Sequence, residues 1–261
     1  MKALILVAGQ GRRLWPFTRD CPKCLLSIGG RSILEQQLSN LEKVGIGQVV
    51  LVCGFGVESI RRAAAAYPGN LQVKIVYNPF YADADNLISL WAARCEMDQD
   101  FVLLNGDNVF HPRIVELLLE TEKMCCLMID RKSFYDEDDM KLQMQNDRIL
   151  RIGKSLLPDS VNAESIGIMQ FIDAGVGELK LVLEEAVLEE RSLKDCFLNC
   201  VQRLIDHGFP VNFRDIGGLP WADVDTPEDL RQVRRNLPIY QSQFAHFGHT
   251  RPLYGKARGG I

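Results

Sequence analysis

Leu6-Val7-Ala8-Gly9-Gln10-Gly11-Arg12-Arg13-Leu14-Trp15-Pro16, with Pro22-Lys23-Cys24-Leu25-Leu26 a few residues on, is the stretch from which the rest of the chain is read. Ala3 to Ala8 is apolar throughout and predicts a buried first strand, which breaks at once into Gly-Gln-Gly and two arginines. That break suits a phosphate loop. Glycines let the backbone bend and aim its N–H groups at an anion, and arginine offers a planar fork of donors that matches phosphate oxygens. Two other glycine motifs are excluded by spacing. A P-loop needs Gly-x4-Gly-Lys-Ser/Thr, and a Rossmann fingerprint needs a third glycine where this chain has Leu14.

The chain has 261 residues, enough for one large α/β domain, and residues 1–236 are expected to form it, with 237–261 as a tail. A net charge of −4 with scattered basic residues argues against nucleic-acid binding. No apolar run approaches the ~20 residues that span a bilayer. The start, Met1-Lys2-Ala3-Leu4, goes straight into a strand without the features of a secretory signal, so a cytoplasmic location is expected. The eight cysteines fit a reducing compartment, several lying in apolar stretches. Cys21-x2-Cys24 has redox or zinc spacing but lacks a second pair of ligands, and reads as a plain loop pair.

Downstream of the loop, apolar spacing predicts a helix from Ile33 to Val44, a strand from Val49 to Cys53, a helix from Val57 to Ala66 and a strand from Val73 to Tyr77. This alternation implies a doubly wound, mostly parallel, Rossmann-like sheet flanked by helices, with ligands at the carboxyl ends of its strands. Asp85 or Asn86 caps a further helix, on which Asn86 and Ser89 lie one turn apart and could read a base edge or ribose. Phe101 to Leu104 is a short buried strand that runs into Asn105-Gly106-Asp107. An aspartate just past such a strand is placed to hold Mg²⁺ against triphosphate oxygens.

Lys141 to Gln145 and Ile149 to Ile152 flank Asn146-Asp147 as a β-hairpin, which delivers Lys154. Glu164 to Ile168 returns to the sheet, and amphipathic helices are expected from Gly177 to Glu190 and from Leu193 to His207. Val211 to Ile216 is expected to be the last strand. Asp223 and Asp225 then alternate just before a helix start at Thr226-Pro227-Glu228-Asp229, where they could join Asp107 around a divalent ion. From Asn236 on, Tyr240, Phe244, His246, Phe247 and His249 show no period, and the tail is expected to pack on the domain or on a second subunit, as in a homodimer.

Ala8-Gly9-x-Gly11-x-Arg13-Leu14-x-Pro16-x-Thr18 with Pro22-Lys23, then Tyr77-Asn78, Tyr81-Ala82-Asp83, Asn86-x2-Ser89-Leu90, Gly106-Asp107 and Trp221-x-Asp223-x-Asp225, resembles the sugar-nucleotidyltransferase superfamily. The likeness extends to about Val233 and leans toward the branch of CTP:phosphocholine and phosphonate cytidylyltransferases. It implies transfer of CMP from CTP to a small phosphorylated or phosphonylated acceptor, such as phosphocholine or an aminoalkylphosphonate, with Mg²⁺ as cofactor and release of pyrophosphate. Ala8, Gly9, Gly11 and Arg12 would then border the nucleotide with Asn86, Ser89 and Gly106. Arg13 would hold the triphosphate and Lys23 the α-phosphate. Asp107, Asp225 and Asp223 would hold Mg²⁺. Lys154, Glu164, Asp138 and Asp139, within an acceptor-binding part at about 130–170, would face the acceptor.

A quaternary ammonium needs an aromatic cage. The region around Asp138 to Leu142 carries acids and Met140 instead, which suits a primary ammonium or hydroxyls better. Two other functions share many of these residues. A sugar-1-phosphate nucleotidyltransferase using UTP, dTTP or GTP differs only in its base and acceptor pockets. An inactive nucleotide-binding regulatory subunit would be marked by loss of Arg13, Lys23 or an aspartate, and all are present.

Overall fold

The computed structural model describes residues 1–189 and 192–241. Strand β1 (Lys2–Val7) is buried at every position. The short strands β2 (Ser27–Ile28) and β3 (Arg31–Ser32) form an antiparallel pair. Helix α1 (Ile33–Lys43) starts on a capping box, in which Ser32 Oγ accepts the Glu35 N–H and the Glu35 carboxylate accepts the Ser32 N–H. Then come β4 (Gln48–Cys53), α2 (Val57–Ala65), β5 (Gln72–Tyr77), α3 (Asn86–Ala92), β6 (Phe101–Asn105), β7 (Asn108–Phe110) and α4 (Arg113–Leu119). Each of the early elements falls within a residue or two of its predicted bounds, because apolar periodicity and glycine punctuation agree there.

The second half contains β8 (Cys125–Asp130), the hairpin β9 (Lys141–Gln145) and β10 (Arg148–Gly153), β11 (Ala163–Phe171), α5 (Ala174–Val187), α6 (Leu198–Asp206), β12 (Asn212–Asp215), β13 (Trp221–Asp223) and α7 (Pro227–Gln241). Nine strands form one sheet in the order β5-β4-β1-β6-β11-β8-β12-β10-β9. The pairs β5–β4, β4–β1, β1–β6 and β8–β12 are parallel, whereas β11 runs antiparallel to both β6 and β8. The sheet is therefore mixed rather than mostly parallel. Strand alternation in the first half could not reveal that the long β11 enters the middle of the sheet in the opposite sense. The β9–β10 hairpin, turning at Asn146 with φ 55°, extends this same sheet at its edge.

Three further expectations change. Val211 to Ile216 is not the last strand, since β13 follows and pairs with β7 outside the main sheet. The helix expected from Leu193 begins only at Leu198, after a short 3₁₀ turn, and Glu190 lies outside the described residues. Residue 237 does not begin a tail: α7 runs on to Gln241, with Tyr240 buried, while 242–261, with His246 and His249, lie outside the described residues. Among the described residues no helix is long and apolar enough to cross a membrane.

Alternate residues of β1 feed two cores on opposite faces of the sheet. Leu4 and Leu6 pack in a cluster with residues of α3, α5 and α6, and Ala3, Ile5 and Val7 in one with residues of α1, α2 and α4. A third cluster joins Leu14, Leu26 and Ile28 to Val224, Leu230 and Val233, so the loop after β1 is clamped to the start of α7.

The turn between β6 and β7 is tied down from below. The buried Gln37 amide donates to the carbonyls of Asn105 and Asn108, each at 2.8 Å, and Asn40 donates to Phe110 O at 2.8 Å. Gly106 lies against the end of β1, where a Cβ would come within 2.6 Å of the Leu6 carbonyl oxygen. Gln37→Leu removes the buried amide donor from both carbonyls and should lower unfolding free energy by about 1–3 kcal/mol in urea titrations. An unchanged midpoint would show that this turn does not depend on Gln37.

Candidate active site

A cleft opens at the carboxyl ends of β1 and β6, lined by Ala8, Gly9, Gly11, Lys23, Tyr81, Asn86, Ser89, Gly106 and Asp107. The predicted loop forms its rim. At Gly9 an added Cβ would meet nothing within 4 Å, so a ligand can approach the bare backbone there. Gly11 is left-handed, with φ 59°, and its carbonyl accepts the Thr18 hydroxyl at 2.7 Å. Thr18 thus holds the loop's curve from within. Arg12 is exposed on the rim and donates to Gln10 at 2.7 Å.

Lys23 Nζ lies at 2.6 Å from both Asp107 Oδ2 and Asp225 Oδ1. Arg13 reaches the other Asp225 oxygen at 2.7 Å and Asp138 at 3.2 Å. Burial alone would lower the Lys23 pKa, but Asp107 and Asp225 outweigh it and raise it above the ordinary lysine value. Lys23 is a permanent cation. Asp223 sits on β13 and accepts from the Asn108 amide, which also donates to Ile166 O at 3.1 Å. Burial, then the nearby Asp107 and Asp225 carboxylates, push its pKa well up.

This carboxylate group fits a divalent cation shared with a substrate. Asp107 Oδ1 is buried and has no hydrogen-bond partner, and mutually repelling carboxylates are relieved by a hard cation. Among the described residues no group of three or more His, Cys, Asp or Glu side chains could hold a metal ion. Mg²⁺ ordinarily takes one or two carboxylates and completes its octahedron with water and phosphate oxygens, so two aspartates are a sufficient protein share.

Asn86 and Ser89 both face the cleft, and both also brace its wall. Asp85 caps α3 as expected, Asn86 Oδ1 accepts the Phe197 N–H at 2.7 Å, and buried Ser89 accepts the Asn78 amide at 3.0 Å. Cys24 lies on the cleft wall and Cys21 nearby in the chain, both free thiols whose pKa values burial raises.

The residues expected to face the acceptor separate into two sets. Asp138 and Lys154 are half exposed and lie 4.0 Å apart, with Arg13 on the other side of Asp138. Asp139 and Glu164 instead converge on Lys132, whose Nζ is 2.8 Å from Asp139 Oδ2 and 2.7 Å from Glu164 Oε1. The Tyr135 ring lies 5.9 Å from the same ammonium, and the Tyr135 hydroxyl accepts the Lys132 N–H. Asp130, the register partner of Glu164, accepts the Trp221 indole N–H at 2.9 Å. Sequence reasoning missed Asp130, Lys132 and Tyr135, and met Trp221 only as part of the Trp221-x-Asp223-x-Asp225 motif, without a role. The signal for the first two was present: they follow the carboxyl end of a buried strand, the rule that singled out Asp107.

The family model for the MobA-like NTP transferase domain matches residues 3–133, half of the chain. The chain belongs to this family. Related proteins include the bifunctional IPC transferase and DIPP synthase of Aquifex aeolicus, 27% identical over 237 residues, 90% of this chain and 51% of that protein. The CMP-5′-(3-aminopropyl)phosphonate synthase of Streptomyces rubellomurinus is 29% identical over 259 residues, 89% of this chain and 38% of that protein. The chain thus spans about half or less of the length of these relatives. The inositol-1-phosphate CTP transferase from T. maritima shares its fold, with a TM-score of 0.79 at 23% identity over 94% of this chain and 97% of that one.

Within this site, Glu164 is the side chain whose ionisation is most open to test. Burial pushes its carboxyl from the ordinary 4.5 up to about 8, against the pull of Lys132. The folded protein therefore keeps this proton where the unfolded chain has released it. The stability that Glu164 contributes is complete below the unfolded pKa and is lost as pH rises toward the folded one. Glu164→Gln should flatten the decline in unfolding free energy between about pH 5 and pH 8. Urea melts of both proteins across that range would reveal an equal slope if the assignment were wrong.

Proposed function

We propose that the protein is a Mg²⁺-dependent cytidylyltransferase that moves CMP from CTP to a small phosphorylated or phosphonylated acceptor and releases pyrophosphate. The observation that carries this reading is Lys23, held between Asp107 and Asp225 at the mouth of a bare glycine loop. Membership of the NTP transferase family and a relative named for a CMP-linked phosphonate support the nucleotide and the acceptor class.

The roles follow from position. Backbone N–H groups near Gly9 and Gly11, with Arg13, hold the triphosphate. Asn86 and Ser89 line the cleft, where they would meet the base and ribose. Lys23 faces the α-phosphate, Asp107 and Asp225 would hold Mg²⁺ with Asp223 beside them, and Lys154 meets the acceptor's phosphate. An acceptor oxygen attacks the α-phosphorus, the bond from that phosphorus to the bridging oxygen of the β-phosphate breaks, and pyrophosphate leaves with that electron pair. Bound Mg²⁺ would neutralise charge on the phosphate oxygens.

Little covalent chemistry falls to the protein in such a transfer. In-line placement and cancellation of negative charge provide most of the acceleration. When the substrate's phosphates enter, Lys23 and Arg13 exchange carboxylate partners for phosphate oxygens, and the aspartates are freed for the cation. The apo site keeps both sets of charges paired until then.

Pyrophosphate release with Mg²⁺, crossing CTP, UTP, dTTP and GTP against phosphocholine, 2-aminoethylphosphonate, inositol phosphate and glucose 1-phosphate, tests the reading. Release with CTP and a non-sugar acceptor is expected; release confined to UTP, dTTP or GTP with glucose 1-phosphate would refute it. Lys23→Ala and Asp107→Ala should each lower turnover by about 100-fold or more with the fold retained. Near-normal turnover in either variant would remove the mechanism.

A further inference from the structure

We infer that Lys132 is a specificity-determining residue that fills an ammonium-shaped pocket from within, so that the acceptor carries a neutral, hydroxyl-bearing head group rather than a cationic one. The inference rests on the proposed transfer to a phosphorylated or phosphonylated acceptor. A pocket for an ammonium ligand needs carboxylates at close range and an aromatic face. All of these are present, and Lys132 already occupies them: Asp139 at 2.8 Å, Glu164 at 2.7 Å and the Tyr135 ring at 5.9 Å. The Lys132 side chain is 18% exposed, and those of Asp139 and Glu164 less so at 12% and 3%.

The cluster lies on the acceptor side of the cleft. Asp139 follows Asp138, which links Arg13 of the glycine loop to Lys154. On the opposite side, Glu164 is close enough to add to the field of the carboxylates at Asp223. An acceptor whose phosphate meets Lys154 and Arg13 would therefore direct its head group toward Lys132. A cationic head group would meet a like charge there, with the Asp139 carboxylate already paired and Glu164 holding its proton.

A hydroxyl meets the opposite situation. An ammonium has three N–H donors; Lys132 gives one to Asp139 Oδ2, and its nitrogen also lies 2.7 Å from Glu164 Oε1. A third can be given to a hydroxyl oxygen, whose own proton can go to Asp139. The same acids that at first suggest an ammonium acceptor are, with the Lys132 ammonium balancing the Asp139 carboxylate and buried Glu164 keeping its proton, a neutral hydrogen-bonding surface.

The test compares acceptors that differ only in this group: 2-hydroxyethyl phosphate against 2-aminoethyl phosphate, by CTP-dependent pyrophosphate release. The wild-type protein should favour the hydroxyl member in kcat/KM by about tenfold or more, and Lys132→Met should move the ratio toward the amine by a similar factor. If the single variant does not fold, Lys132→Met/Glu164→Gln, which deletes the cation with one acid, carries the same readout. Preference of the wild-type protein for the amine, or an equal loss with both acceptors in the variant, would overturn the inference while leaving the transferase reading intact. Silence of both acceptors with every nucleoside triphosphate would overturn the proposed function and this inference with it.

Discussion

A single shared ammonium organises this molecule. Lys23 comes from the loop after β1, Asp107 from the turn between β6 and β7, and Asp225 from the junction of β13 with α7. These segments are far apart in sequence and would repel or desolvate one another if brought together with any member missing. Removing either carboxylate would leave a buried cation short of compensation, and removing the cation would leave carboxylates facing one another. The scaffold beneath can be seen as the means of holding that charge balance: Gln37 and Asn40 fix the β6–β7 turn, Thr18 curves the glycine loop, and Val224 anchors the third segment in the cluster with Leu14.

The same arrangement explains why the site can be both stable and receptive. A phosphate cradle made only of cations would be unfavourable without its ligand, and a cation site made only of carboxylates equally so. Interleaving them lets each satisfy the other, and under the proposed function an incoming metal–triphosphate would present the matching pair of charges. Exchange of partners then replaces creation of new unpaired charge, so little solvation is lost at the moment of binding.

How much of this could be read from the chain depends on distance along it. The loop from Ala8 to Thr18, the helix starting at Ser32 and the Thr226 cap with Asp229 are local, and short-range rules found them. Asp107 and Lys23 were legible because each follows a strand or a motif. The mixed sheet was not, because strand direction is set by which partners β11 meets, and Gly167 must adopt φ 71° and pass close to the Asn105 side chain for it to lie beside β6. β13 escaped for a similar reason: three residues make no periodic signal, and its identity comes from pairing with β7.

The acceptor side shows what composition conceals. Asp136 to Asp139 reads as a solvated acidic run, and Asp138 does remain half exposed, whereas its neighbour Asp139 is drawn inward to a lysine seven residues earlier. Counting acids would assign the region a negative surface. Most of that charge is gone before any ligand arrives, since Lys132 answers Asp139, burial keeps the neighbouring Glu164 protonated, and Arg13 and Lys154 answer Asp138. Selectivity in such a pocket is therefore set less by which acids line it than by whether an internal cation already sits among them.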